Sequence, residues 1–329
     1  MQNIKYNLYF CIVKTINIMW LNLLFVIIGV ILVLWGADRL TDGSVAIAEK
    51  FNMPQFVIGL TIVALGTSMP ELCISLTSAL KETPDLAVGN VVGSNIFNSL
   101  LIVGAAAIVA PMTILTSTVK KDIPFALFAS IFLLPMCYVG RDISRWEAIV
   151  LFILFLVYMY YTVRGAKGSH VEENSIRKNY SGLKATLFIL LGLACLIVGS
   201  NLFVNGATEI AHLLGVSEAV IGLTIVAGGT SLPELATSVV SAYKGQSGIA
   251  IGNVLGSNVL NILMILGITG IISPLHIHGI TYVDFSVMIL SMLLLWGFSY
   301  TKFKVERWEG VVLLIVFFAY MTWLIANAI

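Results

Sequence analysis

Two glutamates, Glu71 and Glu234, lie far from either end of long apolar stretches. A carboxylate at that depth in a membrane helix costs about 2.5–3.5 kcal/mol on insertion scales, so it is retained for a pathway, a partner or an ion. No Lys or Arg lies deep in any apolar run to pair with them. What surrounds each glutamate is oxygen. Thr67, Glu71 and Ser75 follow one another at i, i+4 and i+8, with Ser68 and Ser78 close to the same helix face, and Thr230, Glu234, Ser238, Ser231 and Ser241 repeat the stripe. Single Ser and Thr residues in membrane helices usually bond back to their own i−4 carbonyl, a reading that fits poorly a whole set duplicated around a carboxylate. Ser94 and Asn98, at i and i+4, are mirrored by Ser257 and Asn261, and each amide adds an oxygen without adding charge. Pro70 and Pro233 lack an N–H, and Gly66, Gly228 and Gly229 loosen the chain just ahead of them, so both helices should kink there. A kink frees carbonyls, which are tolerated at membrane depth only where they line a cavity or meet a ligand; those near Ala64 and Ala227, one turn before Thr67 and Thr230, are the candidates. Two carboxylates, at least four hydroxyls, two amides and several carbonyls, without His or Cys, form a hard donor set. It suits calcium and sodium and disfavours zinc, copper and iron.

These donors need spans to hold them. Of 329 residues 59% are hydrophobic and 11% charged, against about 25% charged in soluble domains. At about 20 residues per span that is enough for roughly ten. A soluble enzyme, a disordered chain and a collagen-like fibre are excluded, as is a nucleic-acid binder, since a net charge of +1 without a basic block offers nothing to phosphates. Apolar runs bounded by charges, prolines and glycines predict helices near 20–40, 55–80, 87–110, 123–139, 146–163, 184–206, 218–243, 249–272, 283–300 and 309–326. The expected fold is an all-α membrane protein of ten transmembrane helices. Residues 1–19 read as a leader without a small-residue cleavage pattern, with Met19 as a possible upstream-start boundary. Lys and Arg concentrate in alternate loops, among them Lys50, Lys120, Lys121, Arg164 and Lys244, which places those loops in the cytoplasm and both termini outside the cell membrane. No loop is large enough for a soluble regulatory domain.

The chain also repeats itself. GLTIVALGTSMPEL at 59–72 returns as GLTIVAGGTSLPEL at 222–235, and GNVVGSNIFN at 89–98 returns as GNVLGSNVLN at 252–261, both at an offset of 163; 24 of the 40 positions from Gly59 to Asn98 match. Arg145-Trp146-Glu147 recurs, one residue out of step, as Arg307-Trp308-Glu309. The organisation expected is a first five-helix repeat over 20–164, a cytoplasmic connection over 165–183 and a second five-helix repeat over 184–329. Five is odd, so the second half enters the membrane from the opposite side. Inverted repeats of this kind bind substrate near the midplane and expose it alternately to the two sides.

Other residues read more plainly. Cys11, Cys73, Cys137 and Cys195 have neither CxxC nor metal-site spacing and fit as small buried thiols. Asp38, with Arg39 beside it, and Glu209 read as solvated helix ends. His170, His212, His276 and His278 fall in loops or at span ends. Gly89/Gly93 and Gly252/Gly256 are small-xxx-small pairs that read as packing positions.

At GTSMPE (66–71), GTSLPE (229–234) and the two GSNxxN runs (93–98 and 256–261) the sequence resembles the sodium/calcium exchanger family in its compact prokaryotic form, over nearly the whole chain from about residue 20. The resemblance implies that Glu71, Glu234, Thr67 and Thr230 hold calcium. The same groups would share sodium with Ser68, Ser231, Ser94, Ser257, Asn98, Asn261 and the Ala64 and Ala227 carbonyls. It also implies that sodium influx drives calcium efflux, with the ions as cargo and no cofactor. Some members, including potassium-dependent ones, have Asp where Asn261 stands, so a potassium-independent exchanger is expected. A proton-coupled calcium or cation antiporter and a calcium channel are the alternatives. An enzyme is disfavoured by the lack of HExxH, GxSxG and any deep Asp pair.

Overall fold

The computed structural model describes residues 2–81, 83–137, 142–166, 180–216, 221, 224–225, 227–277 and 280–328. The connection expected over 165–183, with His170, falls mostly outside the described residues, as do His278 and parts of the span expected over 218–243. The first half comprises α1 (Gln2–Lys50), α2 (Gln55–Thr67), α3 (Met69–Leu80), α4 (Pro84–Val109), α5 (118–135) and α6 (Arg145–Ala166). The second comprises α7 (Gly182–Leu213), α8 (Ala227–Thr230), α9 (Leu232–Tyr243), α10 (Ser247–Ile272), α11 (Tyr282–Tyr300) and α12 (Arg307–Ala328). Seven of the described helices are long and apolar enough to cross a membrane, and α2 with α3, bent by 46°, makes an eighth if the pair is one span. The run over 118–135 opens on Lys120, Lys121 and Asp122, and α8 and α9 belong to the span that is only partly described.

Four two-residue strands tie the halves together and display their inverted relation. β1 (Met112–Thr113) pairs antiparallel with β4 (Lys304–Val305), and β2 (Asp142–Ile143) with β3 (Leu275–His276). Each half therefore lends one strand to each end of the bundle. Following the helices, β1 and β4 share an end with Lys50 and Lys244, while β2 and β3 share the other with Lys81. Smaller contacts obey the same symmetry. The Tyr158 hydroxyl donates to Asp122 at 3.2 Å, and the Tyr320 hydroxyl to Asp284 at 2.8 Å. Glu147 accepts the Ser144 N–H at 2.9 Å and Glu309 accepts the Glu306 N–H at 2.7 Å, so the repeated Arg-Trp-Glu triplets carry the caps of α6 and α12.

The two motif helices α4 and α10 are the centre of the bundle: 78% and 83% of their most apolar windows are buried, against 22–33% for α1, α6, α7, α11 and α12, which present large apolar side chains outward. That outward surface is what a bilayer solvates. α1 and α7 form a separate layer along a glycine seam. A Cβ at Gly29 would lie 2.7 Å from the Gly199 carbonyl oxygen, and one at Gly36 would lie 2.8 Å from that of Gly192, so only glycine lets the backbones approach this closely.

α1 runs ten residues past the span end expected at residue 40. The charges that suggested a boundary are held within the bundle: Lys244, at the end of α9, reaches back to Asp38 at 2.5 Å and to Asp42 at 2.8 Å. Asp38 also contacts Arg39 at 3.4 Å, as its neighbour in sequence suggested, so it is a tethered group rather than a simple solvated end. Glu209 is exposed, as expected of a helix end. Cys73, Cys137 and Cys195 are free thiols; Cys137 is buried as expected, whereas Cys73 is exposed, since it stands on an outward face of its helix, and Cys195 is half-buried.

Candidate ion site

Both expected kinks are present and alike. α2 gives way to α3 at Ser68 (φ −84°, ψ 8°), and α8 to α9 at Ser231 (φ −85°, ψ 6°). Pro70 and Pro233 stand in the first turn of the new helix, where an N–H has no intrahelical acceptor to lose. Glu71 and Glu234 follow in the same turns, at the positive end of the helix dipole, which favours an anion there. The kink leaves the Ala64 carbonyl accepting the Ser68 N–H at 3.0 Å, with Thr67 Oγ1 3.3 Å away. The N–H that Pro70 withholds is the one a regular helix would give to Gly66. Ala227 opens α8.

Ser68-x-x-Glu71 and Ser231-x-x-Glu234 have the spacing of a helix capping box, yet neither serine caps its own helix. Each turns across the interface instead. Ser68 Oγ donates to Glu234 Oε1 at 2.9 Å and lies 3.0 Å from Ser257 Oγ; Ser231 Oγ donates to Glu71 Oε1 at 3.4 Å and lies 3.4 Å from Ser94 Oγ. The two glutamates act on each other electrostatically. Thr67, Ser68, Glu71, Ser94, Asn98, Ser231, Glu234, Ser257 and Asn261 are all buried. Hydrogen bonds thus join Ser68, Glu234 and Ser257, and Ser231, Glu71 and Ser94, across the two halves, with Asn98 and Asn261 buried one helical turn beyond Ser94 and Ser257.

Sequence reasoning did not anticipate the scaffold of amides behind them. Asn90 Nδ2 donates to the Glu71 carbonyl at 3.3 Å and to Ser75 Oγ at 3.2 Å; Asn253 Nδ2 does the same for Glu234 and Ser238, at 3.3 and 3.0 Å. Thr67 Oγ1 donates to Asn253 Oδ1 at 3.1 Å. Repetition of Asn90 as Asn253, and of Asn95 as Asn258, was the available signal. Asn98 and Asn261 sit inside matching π-helical turns, Phe97–Ile102 and Leu260–Ile265, a widening often found at functional sites.

Four buried oxygens of these residues have no hydrogen-bond partner among the described residues: Glu71 Oε2, Glu234 Oε2, Asn98 Oδ1 and Asn261 Oδ1. All are acceptors, two come from each half, and no described Lys or Arg pairs with either glutamate. A buried anion with an orphaned oxygen is costly. A cation would stabilise such oxygens, and the hard oxygen set fits calcium or sodium.

The family model described as sodium/calcium exchanger protein matches residues 21–164 and 184–326. The chain is 38% identical over 313 residues to the putative antiporter CaxA of Alkalimonas amylolytica, covering 90% of this chain and 96% of that one. It is 33% identical to the sodium/calcium exchanger MaX1 of Methanosarcina acetivorans, covering 91% and 97%. A solved structure of the sodium-calcium exchanger NCX_Mj superposes with a TM-score of 0.81 at 34% identity, covering 93% of this chain and 99% of that one. Together with the fold and the donor set, these matches support cation/calcium antiport by a multi-pass membrane protein, and the chain belongs to the sodium/calcium exchanger family.

Proposed function

We propose that this chain exports Ca2+ in exchange for Na+ by alternating access, electrogenically and without potassium. Glu71, Glu234, Thr67 and Thr230 hold Ca2+; Na+ uses these groups together with Ser68, Ser231, Ser94, Ser257, Asn98, Asn261 and the Ala64 and Ala227 carbonyls. The observation that carries this reading is the set of four orphaned acceptor oxygens, with neither glutamate paired to a Lys or Arg among the described residues. Two carboxylates in a low-dielectric centre repel, so that centre can seal only when their charge is compensated. Ca2+ brings the formal charge to zero. About three Na+ would bring it to +1, coupling transport to the membrane potential at about 2.3 kcal/mol per 100 mV. Asn261, neutral where some relatives of this family carry Asp, keeps the count at two negative charges. The concentration of Lys and Arg at the Lys244 end supports placing that end in the cytoplasm and both termini outside.

The moving body in this proposal is the α1–α7 pair, which its glycine seam holds together while Thr41 and Ser241, sharing a hydrogen bond at 2.9 Å, join it to α9. A disulfide in T41C/S241C should stop exchange and reduction should restore it; unchanged flux with the disulfide formed would exclude sliding at that seam. The reading as a whole is tested in proteoliposomes. An imposed Na+ gradient should drive Ca2+ uptake, and a K+-diffusion potential should alter its rate. Uptake driven by a proton gradient and indifferent to Na+ would establish proton coupling instead.

A further inference from the structure

Asn98 and Asn261 can serve a cation only with their oxygens inward; turned over, each would present an NH2 group to a positive charge. Their orientation is fixed by two other amides. Asn98 Nδ2 donates to Asn258 Oδ1 at 3.0 Å, and Asn261 Nδ2 donates to Asn95 Oδ1 at 3.0 Å. Each amide of one half is thus held by an amide of the other.

Both chains of hydrogen bonds end on an atom that can only accept, and that sets their direction. Met292 Sδ has lone pairs and no hydrogen, and it lies 3.2 Å from Ser99 Oγ and 3.4 Å from Asn258 Nδ2. The single hydroxyl hydrogen of Ser99 goes to the sulfur, so Ser99 Oγ can only accept, and Asn258 Nδ2 donates to it at 2.8 Å. Asn258 must therefore turn its NH2 toward Ser99 and Met292 and its oxygen toward Asn98. Asn98 gives its NH2 to that oxygen, which leaves its own Oδ1 buried and without a partner among the described residues. On the other side Asn95 Nδ2 donates to the Asn258 main-chain carbonyl at 3.3 Å, again an acceptor only, which leaves Asn95 Oδ1 to receive Asn261 and leaves Asn261 Oδ1 without a partner among the described residues. Asn95, Asn258 and Ser99 are at most 1% exposed, so water does not compete for these bonds.

We propose that Asn95 and Asn258 are positioning residues of the ion site, which hold Asn261 and Asn98 oxygen-inward so that both present neutral cation ligands. This rests on the reading of Asn98 and Asn261 as ligands. A carboxylate needs no such orientation, because both its ends are oxygen, and that difference supplies the test.

Ca2+ binding to the purified full-length chain is measured calorimetrically for the wild type, N258L, N98D and N258L/N98D, and for the matching set N95L, N261D and N95L/N261D. Removing an orienting partner should weaken Ca2+ binding roughly 10–100-fold in the Asn background, and by less than about threefold in the Asp background. Protein that merely packs poorly would lose the same factor in both. Equal losses, or wild-type affinity in N258L and N95L, would overturn the proposal. Two independent pairs guard against one variant failing to fold. A wild-type chain that binds no Ca2+ would instead remove the site reading beneath it.

Discussion

Residues 89–95 and 252–258 read GNVVGSN and GNVLGSN, and they lie in different surroundings. Gly252, Asn253 and Gly256 are buried beneath α2, whereas Gly89, Asn90 and Gly93 are partly exposed. A Cβ at Gly256 would lie 2.5 Å from the Leu60 carbonyl oxygen; at Gly89 and Gly93 none of the described atoms would lie within 4 Å. At the glutamates the difference vanishes, since each accepts a serine from the opposite half. The largest expected effect therefore falls equally on both copies: Glu71→Gln and Glu234→Gln should each reduce Ca2+ flux in proteoliposomes on the order of 100-fold while leaving expression intact. Normal transport in both would dissolve the assigned site, and loss in only one would show that the copies are not equivalent at the centre.

Away from the centre the copies should part. Gly252→Ala drives a Cβ into the Phe56 carbonyl and to 2.9 Å from the Leu60 nitrogen, backbone atoms that cannot rotate away. Overpacking of that kind costs about 1–3 kcal/mol, so the midpoint of thermal unfolding in detergent should fall. Gly89→Ala meets open space among the described residues and adds a better helix former, so its midpoint should hold or rise slightly. Equal losses would mean that the two segments are packed alike in solution.

Much of this was legible in the sequence because duplication marks function and topology together. An offset of 163 picked out the serines and glutamates that bond across the halves, and an odd number of spans per half implied the inversion that the strand pairings display. Partnership was not legible. Ser68 and Glu71 have capping-box spacing, and nothing local reveals that each bonds to the other half; a contact over 166 residues is set by tertiary packing. Asn95 and Asn258 stood inside quoted motifs but carried no periodicity that separates an orienter from a ligand. Asp38 misled for a related reason, and Asp42 lies beyond the span end expected at residue 40. Charges ordinarily mark the end of a span, and these two remain within α1 because Lys244 arrives from the far half to meet them.

That lysine supplies the smallest contrast between the halves. Lys244 Nζ reaches Asp38 Oδ1, Asp42 Oδ1 and, at 3.0 Å, the Asp38 carbonyl, so it fastens α1 to α9 at one end of the bundle. At the other end the matching positions are Lys81, Asn201 and Asn205, and amides carry no charge with which to hold a lysine. Asp38 is 35% exposed and Asp42 only 7%, so solvent screens one arm of the clamp far more than the other. Discounted for that screening, the fastening is worth about 1 kcal/mol, or roughly a fivefold bias toward a shut Lys244 end. In Lys244→Met the backbone amides over residues 38–50 should exchange with solvent deuterium about fivefold faster, as the end of α1 lifts from the core more often. Lys81→Met should leave exchange at its own end unchanged. Matching accelerations in both variants would mean that the asymmetry of charge does not bias the carrier, and the difference between its two ends would then rest on the glycine packing alone.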